Sequence, residues 1–122
     1  VSPFERLRKG KTLSPEKLSE SLTEIQNYLN EGLSAKALEV CFEILETYSN
    51  PIDVQAQLNQ LASIALEIEG RFAEAAEILK PFEDKEIIRN LQAENLVIIY
   101  TQQGISYSNL NELTKAINFL NM

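Results

Sequence analysis

The chain has no histidine, no tryptophan, one cysteine, and only four glycines and four prolines in 122 residues. Without histidine it lacks the commonest imidazole ligand and general base, and one cysteine can form neither a thiolate metal pair nor an internal disulfide. No glycine-rich phosphate loop and no serine nucleophile motif is present either. The expectation is a protein that catalyses nothing and holds no metal and no cofactor. Carboxylate pairs such as Glu67 with Glu69 and Glu74 with Glu77 read as solvated helix surface rather than as acid and base. The longest apolar run, residues 96–100, is far too short to cross a bilayer, which argues against membrane association. No leader pattern is visible, so a cytoplasmic location is the default expectation.

Positive charge is also scarce. Lysine and arginine number 11 against 18 acidic residues, for a net charge of −7. Arg6, Arg8, Lys9 and Lys11 with Glu5 give the first twelve residues +3, which leaves −10 for the rest. Four clustered cations on an acidic body are a weak counter to phosphates, so nucleic acid is not an expected partner. Residues 1–13 carry Pro3, Gly10 and this charge without helical periodicity, and read as a flexible basic arm or linker. Cys41 falls among Val40, Ile44 and Leu45 and reads as a buried small hydrophobe.

What is present is a helical grammar stated several times. Ser14 and Pro15 open a first helix, and Leu18, Leu22, Ile25, Tyr28 and Leu29 mark its buried face until Gly32. Ser34 is expected to cap a second helix that carries Ala37, Leu38, Cys41, Ile44, Leu45 and Tyr48 as far as Asn50 and Pro51. Those two residues open a third helix, with Asp53 at a capping-box-like position, which runs to Gly70. The stretch RFAEAAEIL predicts a fourth helix closed by Pro81. Asp84 is expected to cap a fifth helix, continuous to about Asn109 and roughly 37 Å long at about 1.5 Å per residue. A sixth is expected from Asn111 through Leu113, Ala116, Ile117 and Leu120. No period-2 segment predicts a strand.

The hinges Gly32, Gly70 and Asn111 align in register with Ala37, Ala75 and Ala116, each five residues later, and with Cys41, Leu79 and Leu120 beyond them. A small residue suits the close crossing of two helices, where a larger one forces the backbones apart. The pattern resembles the tetratricopeptide repeat (TPR) family, most closely in GRFAEAAEIL, and Tyr100, Gly104 and Tyr107 fall on the family's aromatic, small and aromatic positions. Ile25 departs from it by replacing the small residue of the first unit, and the repeat is longer than the common one, at 38 and 41 residues.

The resemblance implies an all-α fold: a right-handed superhelical array of about three antiparallel helix pairs over residues 14–122. The array is expected to be truncated at its C-terminal end, where Phe119 and Met122 have no further helix to cover them. The function it implies is non-enzymatic protein–protein interaction, with a peptide or helix held on the concave face. The alternatives are a scaffold or oligomerisation segment of a larger protein, with self-association through the C-terminal helix, or a sensor domain attached to an enzyme or transcription regulator. The family's groove positions select Gln26, Gln57, Gln60, Ile64, Glu67, Thr101, Ile105 and Asn109 as partner-binding residues, and Gln102 joins them as an amide expected to be exposed. None is basic, so the family's clamp for a C-terminal carboxylate has no counterpart except Asn109.

Overall fold

The computed structural model describes residues 11–110, and among these every regular element is helical. The elements are α1 (Pro15–Asn30), α2 (Ser34–Thr47), α3 (Ile52–Ile68), α4 (Phe72–Glu77), a 3-10 turn (Lys80–Glu83), α5 (Lys85–Ile88) and α6 (Ala93–Asn109). Residues 1–10 of the expected arm and the expected sixth helix lie outside the described residues. At the edge of the arm, the Ser49 N–H donates to the Lys11 carbonyl at 2.9 Å and Leu13 packs on the first core.

The first helix starts as its sequence predicts: Ser14 Oγ accepts the Lys17 N–H at 3.3 Å and Pro15 occupies the first turn. Its end is a Schellman turn, with Gly32 at φ 76°, the Leu33 N–H on the Tyr28 carbonyl and the Gly32 N–H on the Leu29 carbonyl. The same turn recurs at Gly70, where φ is 75° and the Arg71 and Gly70 N–H groups bond to Leu66 and Glu67. A left-handed residue is needed at both hinges, and glycine supplies it without steric cost. Each turn folds the chain back into an antiparallel hairpin, α1 on α2 and α3 on α4.

Four expectations are corrected. Ser34 does not cap α2; it is the first helical residue, and its hydroxyl donates to Glu69 Oε2 at 3.1 Å. Asp53 does not cap α3, whose N-cap residue is Pro51, but faces α6 instead. The fourth helix stops at Glu77, four residues before Pro81, because the proline ring would clash with the carbonyl four residues back and could not donate to it. The carbonyls left over at that end are taken by neighbours. Ser63 Oγ donates to Ala75 at 2.9 Å and Asn59 Nδ2 to Ile78 at 3.3 Å, while the Leu79 carbonyl, already bonded by the Phe82 N–H, also accepts from Gln103 Nε2 at 3.3 Å.

The fourth correction is that the long fifth helix is two. Asp84 does cap its start, accepting the Glu86 N–H at 2.8 Å, but α5 ends at Ile88 and a turn precedes α6. The break folds Ile87, Ile88 and Leu91 onto a core of Ala56, Leu79, Phe82 and Ile99. Burial of each is worth on the order of 1 kcal/mol. The interrupted helix bonds are largely replaced, with Asn90 Nδ2 donating to the Glu86 carbonyl and the Gln92 N–H to Asp53. Burial therefore outweighs helical continuity. A larger core joins Ile25, Leu29, Ala37, Leu38, Cys41, Ile44, Leu58, Leu61, Leu66 and Ala75, so α3 serves both cores. Ala37 and Ala75, the two crossing residues within the described span, are fully buried.

Candidate functional site

The third helix meets α6 along a seam of paired polar side chains. Asp53 Oδ1 accepts both the Gln92 N–H and Asn95 Nδ2, each at 2.8 Å, and Gln57 Nε2 donates to Asn95 Oδ1 at 3.2 Å. Further along, Gln102 Nε2 donates to Ser63 Oγ at 3.3 Å, and the Ser63 and Ser106 hydroxyls lie 3.4 Å apart. At the far end Asn109 Nδ2 donates to Glu67 Oε2 at 2.6 Å. The partner numbers rise together, so the two helices run parallel. Each bonded pair is separated by 38 to 43 residues.

These bonds form because each helix carries a polar side chain roughly every turn on the face it presents to the other. Asp53 is an anionic cap delivered from another helix. It lies at the N-terminus of α6, where free N–H groups and the helix dipole favour a carboxylate. Asn95 is buried and is satisfied by Asp53 and Gln57, and the buried Gln102, Ser63 and Ser106 side chains bond among themselves.

The structure sorts the sequence-selected residues into three groups. Thr101, Ile105 and Asn109 are exposed on α6, while Gln60 and Ile64 are half-buried on α3. Gln57 and Glu67, also half-buried, are bonded into the seam. Gln102 is a correction: only 4% exposed and bonded to Ser63, it lies inside the seam and cannot meet a partner. Gln26 stands apart, exposed on α1, and no hydrogen bond joins it to the others among the described residues. Gly104, which the repeat pattern placed at a helix crossing, faces open space, with nothing within 4 Å of an added Cβ.

Beside the seam the surface is aliphatic. Ile68 is 49% and Ile105 46% exposed, large values for isoleucine in a helical domain. Val97 and Tyr100 add exposed apolar area on α6, whose sole Asp, Glu, Lys or Arg is Glu94. The ion pairs found among the described residues lie elsewhere: Arg71 with Glu69 and Glu74, Lys80 with Glu77, and Arg89 with Glu86. The Arg71 guanidinium holds the Glu74 carboxyl below the usual carboxylate range.

No chemistry-bearing constellation forms in the described part of the chain. No group of three or more Cys, Asp or Glu there could hold a metal ion, and burial pushes the Cys41 thiol up to about 12, away from a reactive thiolate. A hollow of about 440 Å³ runs beside α1 past Ser19, Thr23, Glu24, Asn27 and Glu31. These residues lie on one flank of a single helix, and the hollow is not an enclosed cleft. No helix among the described residues is long and apolar enough to cross a membrane.

Sequence reasoning missed Asp53, Ser63, Asn95 and Ser106 as a set. The available signal was a small or polar residue interrupting each apolar stripe, matched by another one repeat length away. Compared with known proteins, the chain matches no family model, no curated protein and no solved structure.

Proposed function

We propose that the chain is a non-enzymatic protein-interaction module of the TPR kind, a right-handed array of helix pairs that holds a peptide or helix on the face lined by α1, α3 and α6. The observation that carries this reading is the parallel pairing of α3 with α6 through residues 38 to 43 apart. In a helical solenoid the first helices of successive pairs stack in parallel, one repeat length apart, and line a concave surface. The two matching Schellman turns at Gly32 and Gly70 support the same repetition.

The lip of the seam suits an apolar anchor flanked by backbone. Ile64, Ile68 and Ile105 supply aliphatic area, and Gln60, Thr101 and Ser108 supply uncharged hydrogen-bonding groups. The test is comparative affinity capture with the chain and with a Gln60→Arg, Thr101→Arg double variant, each confirmed folded by circular dichroism. Partners recovered by the parent and lost from the variant are expected. If every captured partner is shared equally by both, the site is not this face. Sedimentation showing concentration-dependent self-association without such a partner would replace the reading with that of an oligomerisation segment.

A further inference from the structure

The uncharged lip ends in one carboxylate, and its surroundings are unusual. Glu67 is the only ionised side chain among the nine residues selected for the face. Its Oε2 is held by Asn109 Nδ2 at 2.6 Å, whereas its Oε1 is buried and has no hydrogen-bond donor. None of the ion pairs among the described residues includes it. A desolvated carboxylate oxygen without a donor is unfavourable, and the most effective relief is a charge-assisted bond from a cation. The terminal torsion of a glutamate is soft, so the carboxylate can turn and exchange the oxygen it offers Asn109 while α3 stays in place.

We infer that Glu67 is the specificity-determining contact for a lysine or arginine side chain of the bound segment. The inference rests on the groove reading above and adds to it what the segment must carry. The aliphatic stem of such a residue lies along Ile68 and Ile105 while its head reaches the carboxylate, the division of labour natural to long cationic side chains. The net charge of −7 favours the approach of a cation, and Asn109 fixes where it docks.

The experiment uses synthetic amphipathic peptides of about 15 residues with leucines at helical spacing. Each is made as a pair, with lysine or the uncharged norleucine scanned through the remaining positions. Binding is read by fluorescence anisotropy against the chain, its Glu67→Gln variant and its Ile105→Arg variant. The best lysine peptide is expected to bind about five-fold tighter than its norleucine twin, in line with a partly screened ion pair. In Glu67→Gln that preference disappears. A lysine preference that persists in Glu67→Gln, or none in the parent, overturns the role of Glu67. If the norleucine peptides are then still lost in Ile105→Arg, the groove itself stands. Binding by no peptide, or equal binding to Ile105→Arg, overturns the groove and this inference with it.

Discussion

Replacement of Ser63 by alanine is the sharpest test of the seam, because one hydroxyl there serves three elements. Ser63 is fully buried, donates to the Ala75 carbonyl and accepts from Gln102. The Ala75 carbonyl has no helical alternative, since the last turn of α4 tightens and the Leu79 N–H bonds to Ala76 instead. Ser63→Ala therefore strands a buried acceptor and a buried donor, each worth about 1 to 3 kcal/mol. Ser106, 3.4 Å from Ser63, offers Gln102 a second acceptor and keeps the total near 2 to 3 kcal/mol. In a domain of this size that lowers the melting temperature by about 8 to 15 °C. Gln102→Met, which keeps the volume and removes the amide, is expected to cost about 1 kcal/mol. The double variant should fall short of the sum by about 1 kcal/mol, because neither group is then left facing an absent partner. Urea and thermal unfolding followed by circular dichroism measure all four proteins. A Ser63→Ala loss under about 0.5 kcal/mol, or strict additivity, refutes the reasoning.

Asp53→Ala removes the remote cap of α6 and is expected to cost about 1 to 2 kcal/mol, with amide exchange accelerated from Gln92 to Leu96 and unchanged in α1; uniform acceleration across the chain would mean that the cap is not local. Ala75→Leu overpacks a fully buried crossing and should cost about 1 to 3 kcal/mol, so an unchanged melting temperature would contradict the hairpin packing. Cys41, with its thiol at about 12, is expected to resist alkylation at about pH 8 except through opening of the fold. Its raised value also sets the sign of a pH effect. The stability it contributes is complete below the unfolded thiol's pKa of about 8.5 and declines as pH rises toward 12, because only the unfolded thiol ionises in that window. Cys41→Ala should show a shallower decline there than the parent, and equal slopes would rule the effect out.

Local chemistry made much of the fold readable. The cap at Ser14, the glycine hinges and the apolar stripes of the first two helices depend on a few neighbouring residues, and all appear where the sequence places them. What the sequence concealed depends on distant partners. Nothing near residue 90 breaks a helix by propensity, and α5 separates from α6 because Ile87, Ile88 and Leu91 find Phe82 and because Asp53 meets Gln92. Asp53 and Ser34 both looked like local caps, and both bond instead across to another helix. Of the residues selected for the face, Thr101, Ile105 and Asn109 are exposed on α6 as a groove needs, whereas Gln26 stands apart and Gln102 is buried, since the same amide can face solvent or close a buried bond. The distinction lies in Ser63, 39 residues away.

The parallel seam also determines how the domain bears load. Pulling α6 along its own axis relative to α3 shears every rung from Asp53 to Glu67 at once, over helices of 17 residues and about 25 Å. Slippage by one turn, about 5.4 Å, breaks all of them before any can re-form. Lifting α6 away from its C-terminal end instead opens the Asn109 to Glu67 bond first, then the Ser63 cluster, then the Asp53 cap, one after another. The same bonds therefore make a junction that is stiff to stretching and compliant to peeling, and tension arriving through residues beyond Leu110 meets one strength or the other according to its direction.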